Sequence, residues 1–339
     1  MAIRIVVVGM GARGQDWLLE IKKASEFVPV ACVDMNREAL REVCNKGVVT
    51  SKQCFSDLSE ALDQNGCDAV LVATSPESHV ASCELALARG LAVMVEKPFT
   101  LKLRDAFHLV ALAKEKRAPL IVTQNYRYMR SFRTARRLIL DGVLGPVGMV
   151  VCQYYRVPHD MSASHAHLTN SVLWGAGIHH IDALSYSLKK RVTAVLAESF
   201  TMPYGELPRG GSMQILLSLE DETRAVYSST YESSGHEFFE RGQEFYLRFV
   251  GQRATLHVFQ RWLILCESGK LPRLVRRGPR PSTEEKILLD QLQRALVMGE
   301  EPDSSGRDNL QTMAAVEACV RSAAERRWIN PQELLDECR

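Results

Sequence analysis

Gly9, Gly11 and Gly14 stand in the run Gly9-Met10-Gly11-Ala12-Arg13-Gly14, with the spacing G-x-G-x-x-G. That spacing suits phosphate chemistry. The first glycine permits a tight turn, the second lets backbone amides approach a pyrophosphate, and the third lets a helix pack closely on a strand, its N-terminus adding partial positive charge. Asp34 follows 20 residues after Gly14, where a carboxylate accepts hydrogen bonds from an adenosine ribose and repels a 2′-phosphate. The pair points to a dinucleotide, NAD in preference to NADP. Arg13 and Arg37 lie close enough in sequence to hold a 2′-phosphate, which keeps NADP as the alternative.

Further candidates lie where strands should end. Thr74-Ser75-Pro76-Glu77-Ser78-His79 follows one apolar run: Ser75 suits a helix cap, Pro76 the first turn, and His79 either a nicotinamide pocket or a structural place at the helix start. Glu96-Lys97-Pro98 ends the next run. A lysine there is a poor core residue, and Pro98 biases it to an extended backbone that aims its ammonium into a ligand crevice. Asn125, Tyr126 and Arg127 come where the chain leaves this region; Arg127 suits a carboxylate or hydroxyls, or else a salt bridge. Five of the nine histidines (159, 165, 167, 179 and 180) fall between residues 159 and 180. His165 and His167 suit a polar substrate loop or a solvated one; without acidic or cysteine ligands at metal spacing, no metal is expected. Gln153 and Tyr155 alternate with Tyr154 and Arg156, so only one set can face a substrate.

These residues need elements to carry them. Residues 3–8, 29–34, 68–74, 91–96 and 119–124 are consecutive apolar runs, as buried parallel strands require, and the segments 36–46 and 76–90 between them have helical spacing. The first 124 residues therefore read as a doubly wound α/β domain. From 125 to 339 the pattern predicts a second, α+β domain. Its helices fall near 131–140 and 172–188, its strands at 147–157, 192–202, 213–219, 224–231, 245–250 and 254–259, in a large and mostly antiparallel sheet. Helices at 283–298 and 308–324 follow, the second with the capping-box form S-x-x-D at Ser305 to Asp308, and could pack back on the first domain.

Composition agrees with two globular domains. The 339 residues carry 42 basic and 40 acidic side chains. Dividing at 124 leaves 15 of each sign before it and 27 basic against 25 acidic after it, so neither half has the excess a nucleic-acid or membrane-surface binder would show. Nine cysteines without a C-x-x-C pair disfavour a disulfide framework and a cysteine zinc site. No secretory leader and no apolar run of about 20 residues is evident, so a cytoplasmic protein is expected.

In order along the chain, G-M-G-A-R-G, Asp34, T-S-P-E-S-H, E-K-P at 96–98, N-Y-R at 125–127, G-V-L-G at 142–145, G-I-H-H-I-D at 177–182, S-G-R-D at 305–308 and R-W-I at 327–329 resemble the Gfo/Idh/MocA family, named for glucose-fructose oxidoreductase and inositol dehydrogenase. The resemblance covers nearly the whole chain. It implies a Rossmann domain followed by an open-sheet domain that often mediates oligomerisation, here as a homodimer or homotetramer. It also implies NAD(P)-dependent oxidation or reduction of sugars, inositols and related polyols. By the same resemblance Lys97 matches the catalytic lysine and His179 the catalytic histidine. Around them, the glycine turn with Ala12 and Arg13, then Asp34 and Arg37, would meet the cofactor, as would Thr74, Ser75, Pro76, His79, Glu96 and Asn125. Tyr126, Arg127, Tyr155, His165, His167 and His180 would join the two catalytic residues around the substrate.

The sequence departs from that pattern once. Many members place an aspartate one helical turn before the histidine, where this chain has Gly175. Asp182, three residues after His179, could reach it on a helix, or serve a buried cap or ion pair instead. Gly175 gives weight to a non-catalytic dinucleotide sensor as an alternative function, and the resemblance also permits an NAD-dependent glycoside hydrolase.

Overall fold

A computed structural model describes every residue except 1, 158–167, 206, 208–209, 235–242, 260–261 and 279–281. Two compact units emerge: residues Met1–Asn125 with Ser282–Leu310, and Tyr126–Pro281 with Gln311–Arg339.

The first unit is built on six parallel strands: β1 (Ile3–Val8), β2 (Phe27–Val33), β3 (Cys54–Phe55), β4 (Ala69–Val72), β5 (Ala92–Val95) and β6 (Leu120–Val122), in the order β3-β2-β1-β4-β5-β6. This is the doubly wound order, in which ligands bind beyond the carboxyl ends of the strands. Helices α1 (Ala12–Lys23), α2 (Arg37–Asn45), α3 (Leu58–Gln64), α4 (His79–Ala88) and α5 (Leu103–Lys116) connect the strands. The consecutive apolar residues of β4 and β5 are buried at every position, each such aliphatic side chain contributing about 1.5–3 kcal/mol. Helix α1 buries Gly14, Trp17, Leu18 and Ile21 along one stripe, the spacing of a helix that packs one face. The later segment adds the helix Glu284–Met298, and Ser304 and Ser305 lie beside β6, where the Val122 N–H donates to the Ser304 carbonyl.

The second unit carries eight strands. Strands β7 (Val147–Arg156), β8 (Val192–Phe200), β9 (Ser212–Leu219), β10 (Arg224–Thr230), β11 (Gln243–Gly251), β12 (Ala254–Phe259), β13 (Leu263–Glu267) and β14 (Arg273–Leu274) lie in the order β14-β13-β12-β11-β7-β10-β9-β8. All pair antiparallel except β7 with β10. Strict alternation gives the sheet two characters. Val150, Cys152, Tyr154, Tyr227 and Leu247 are buried, on the side where the helix α6 (Arg130–Leu140) and the helix α7 (Ile178–Leu188) pack. Met149, Leu216 and Val226 stay 41–51% exposed on the other.

The structure adds elements absent from the sequence reading: the two-residue edge strand β3, strands β13 and β14, and a terminal helix Pro331–Glu337 capped by Asn330. Among the described residues no helix is long and apolar enough to cross a membrane.

Close packing at the glycine turn yields the first prediction. A Cβ on Gly14 would stand 1.7 Å from the carbonyl oxygen of Gly9, so Gly14→Ala must push α1 off the turn. It is expected to cost about 1–3 kcal/mol of stability, read as a lower urea midpoint; an unchanged midpoint would contradict the packing described.

Candidate active site

The turn between β1 and α1 has the shape its sequence requires. Gly9 adopts φ +90°, and a side chain there would collide with the Ala73 backbone at 2.6–2.7 Å. At Gly11 a Cβ would meet nothing within 4 Å: the space beside this amide is open. No side chain caps the N-terminus of α1 and no acidic residue sits in its first turn, so its leading N–H groups and dipole stay available to an anion. The Asp34 carboxylate accepts from the Met10 N–H at 2.6 Å and the Asn36 N–H at 2.7 Å, which fixes it at the carboxyl end of β2. Arg37 opens α2 and is exposed.

At the far side of the same sheet, polar atoms wait beyond β6. The Asn125 Oδ1, both amide atoms of Gln124 and the Thr123 hydroxyl are buried with no partner among the described residues. Buried polar groups of this kind ask for a ligand or water. Open space at Gly11, an uncapped helix start and unmet groups beyond β6 all fit a dinucleotide.

Glu96 organises the ground between them. Its Oε1 accepts from Arg13 Nε (3.0 Å) and Nη2 (2.8 Å) and from the indole N–H of Trp17 (2.7 Å), and its Oε2 accepts from the Lys97 backbone N–H (3.2 Å). Burial pushes the Glu96 carboxyl up, but the Arg13 guanidinium, the Trp17 N–H and the Lys97 ammonium outweigh it and hold its pKa below the ordinary range. Arg13 also pairs with Glu285 at 3.3 Å and Asp16 at 3.6 Å. Arg13 and Glu96, expected at the cofactor, are thus engaged with each other, because a carboxylate 5% exposed needs a cation.

Lys97 follows at the carboxyl end of β5. Its pKa falls from 10.5 to about 8, because burial disfavours the ammonium; Glu96 opposes the shift and Arg13 adds to it. The Lys97–Pro98 peptide is cis. His79, 1% exposed, clasps two loops: Nδ1 lies 2.9 Å from the Pro98 carbonyl and Nε2 3.2 Å from the Thr74 carbonyl. Burial lowers its pKa despite those carbonyls. A neutral imidazole donates to only one of these carbonyls; buried between the two loops, His79 matches the structural alternative read for it at the helix start. Pro76 opens the 3-10 turn Pro76–Ser78, and the Ser75 side chain makes no cap bond.

In the second unit, His179 lies on the first turn of α7, just after the π-helical turn Leu173–Gly177. The Tyr126 ring stacks on its imidazole, centroids 4.2 Å apart and planes within 8°. Of the readings left open for Arg127 and Asp182, the structure shows the ion pair; His180 and Tyr155, expected at the substrate, have the protein partners described next. Arg127 makes a buried fork to Asp182, Nε and Nη2 each 2.6 Å from a carboxylate oxygen, with the Thr312 hydroxyl adding a third bond at 2.8 Å. It therefore has its carboxylate within the protein, and Asp182 belongs to Arg127 instead of to the histidine. His180 donates to or accepts from the Tyr227 hydroxyl at 2.9 Å and lies among the rings of Tyr154, Tyr227 and Phe245. Tyr155 lies on the opposite face of β7, its hydroxyl 3.3 Å from Ser228, while Tyr154 has the ring beside His180. His165 and His167 lie outside the described residues. Tyr231 and the amide of Gln124 were not singled out by the sequence; for Tyr154 and Tyr155, alternation supplies the parity but not which one faces the helices.

A glycine turn of this form, with a carboxylate closing the second strand, defines the first unit as a dinucleotide-binding domain. The chain belongs to the Gfo/Idh/MocA oxidoreductases: residues 3–124 match the oxidoreductase family with an NAD-binding Rossmann fold, and residues 132–257 the GFO/IDH/MocA C-terminal domain. Among curated relatives, a D-apiose dehydrogenase of Paraburkholderia graminis is 27% identical over 90% of this chain and 83% of its own. A myo-inositol 2-dehydrogenase of Thermotoga maritima is 24% identical over 72% of this chain and 75% of its own. An inositol dehydrogenase homologue of Azotobacter vinelandii, solved with NADH and myo-inositol, shares the fold with TM-score 0.83 at 22% identity, covering 97% of this chain and 98% of that one.

The Arg127–Asp182 pair gives the second prediction. With its two members 5% and 0% exposed in their side chains, Asp182→Ala takes the paired carboxylate from a buried guanidinium and is expected to cost about 3–5 kcal/mol. Denaturant unfolding measures this; a loss below about 1 kcal/mol would mean that the pair is solvated.

Proposed function

We propose that the protein moves a hydride between NAD and the carbinol carbon of a sugar, an inositol or a related polyol, with Lys97 and His179 as its catalytic residues. The observation that carries this reading is the place of Lys97 at the carboxyl end of β5, beside the Glu96 that binds Arg13 of the glycine turn; desolvation there lowers its amine to about 8, so that it changes protonation close to neutrality. NAD, when bound, supplies the hydride acceptor or donor. In the oxidative direction the substrate hydroxyl must also lose a proton. The neutral amine of Lys97 can take it, and as ammonium the same group stabilises a developing alkoxide. The imidazole of His179, held flat against Tyr126, serves as the second acid–base group. The substrate class is supported by the relatives named for apiose and inositol oxidation. NAD rather than NADP is supported by the fixed carboxylate of Asp34, which would repel a 2′-phosphate; Arg37 is the group that would have to offset it.

A second copy of the chain is the partner we propose for the open face of the sheet. Leu196, Leu216, Val226 and Val151 are register neighbours across β8, β9, β10 and β7, a continuous apolar row suited to sheet-on-sheet association.

The test supplies purified protein with NAD+ or NADP+ and a panel of sugars and polyols while reduced nicotinamide is followed by absorbance. Reduction of NAD+ by at least one polyol is expected. Lys97→Ala should abolish it and leave NAD+ binding nearly intact; equal loss of both would make the lysine structural. Tight NAD+ binding without turnover of any substrate would indicate a sensor, and redox-neutral cleavage of a glycoside a hydrolase. Because the base is the deprotonated amine, kcat/KM for oxidation should rise with pH and level off above about 8. A profile flat between pH 6 and about 9 would contradict the role given to Lys97.

A further inference from the structure

The π-helical turn that precedes His179 is filled by a side chain from another element. Gly175 lies four residues before His179, within the π-helical turn Leu173–Gly177. A Cβ built on it would stand 2.3 Å from the Tyr231 hydroxyl oxygen, 3.2 Å from Cζ and 3.3 Å from Cε2. The phenol end of Tyr231 therefore occupies the volume that any side chain at position 175 would need. Gly175 precedes His179 by four residues along the same helical stretch, so the filled space lies about one turn before the imidazole.

Tyr231 is well placed to stay there. It follows β10 directly, its N–H donates to the Gly211 carbonyl at 2.8 Å, and it is 3% exposed. Its ring meets Tyr154 edge-on, centroids 6.3 Å apart. Burial raises its hydroxyl pKa, with Tyr154 and Tyr126 adding to the effect and Arg156 opposing it, so the phenol is neutral throughout the working range. Tyr126, which stacks on His179, is thus among the groups that act on the Tyr231 hydroxyl.

Resting on the catalytic reading of His179, we propose that Tyr231 is the positioning residue of that histidine: its hydroxyl, borne on the sheet, takes the place a helix-borne carboxylate would hold at position 175. Glycine at 175 is then a requirement of the arrangement, because Gly175 and Tyr231 fill one space between them. The device orients the imidazole with a neutral group and adds no negative charge beside it.

The test uses the full chain and two readouts. Tyr231→Phe keeps the ring and removes only the hydroxyl, so the fold should survive, checked by thermal melting. In side-chain 15N NMR, the His179 imidazole signals, assigned by their loss in His179→Gln, should shift in Tyr231→Phe while those of His180 stay in place. This readout does not require turnover, so it judges the proposal even if no substrate is oxidised. With an active substrate, kcat of Tyr231→Phe should fall roughly 10- to 100-fold, as for a misplaced catalytic group, with NAD+ affinity unchanged. Gly175→Asp should be poorly active alone because it collides with Tyr231, and Gly175→Asp with Tyr231→Ala should recover kcat above either single variant. Unmoved His179 signals, or wild-type kcat in Tyr231→Phe, would overturn the proposal. So would a double variant that folds yet is no better than the singles.

Discussion

The nucleotide unit depends on one buried carboxylate. Glu96 ends β5, and a charge that deep persists only if donors surround it. Arg13 and Trp17, four residues apart and hence on one face of α1, supply them. The same contact ties the start of α1, and with it the glycine turn, to the strand end where Lys97 emerges. The glycine turn and Lys97, the lysine proposed to be catalytic, are thereby linked by a single interaction. The Lys97 amine has an opposite charge beside it and desolvation acting on it; desolvation prevails, and the pKa settles near 8 instead of at the value of a surface lysine.

The second unit solves a different problem: how to hold an imidazole on a short helical turn. It uses aromatic rings where a carboxylate might have been expected. Tyr126 lies flat on His179, and Tyr231 closes the space left by Gly175. Asp182, the carboxylate nearest in sequence, is committed to Arg127 and Thr312. A fork of charge-assisted bonds is the stronger claim on an acid, and it anchors α7 to Arg127 within the same unit.

Much of this was legible in the sequence, and the reasons are physical. Parallel strands buried on both faces are written as unbroken apolar runs, so β1, β4 and β5 were evident. The glycine spacing and Asp34 specify a backbone shape, which leaves a signature independent of tertiary context. By contrast β3 is two residues at a sheet edge, too short for any pattern, and the cap Asn330 with Pro331 marked the last helix by a signal the periodicity reading did not weigh. Contacts across many residues were not legible: nothing local couples Arg127 to Asp182 or Gly175 to Tyr231. Arg13 and Glu96 carried the right chemistry for a ligand, and only the structure pairs them with each other.

The claim on which the catalytic account turns is that Lys97 titrates near neutrality in the folded protein. Side-chain NMR of the 13Cε or 15Nζ nuclei of labelled lysine, followed across the alkaline range in native protein without substrate, measures this directly. The account predicts one lysine signal with a midpoint at about 8 that is missing from Lys97→Ala. If the signal lost in that variant instead titrates with the other lysines at about 10.4, the amine is an ordinary solvated cation and the proton-transfer role assigned to it is wrong.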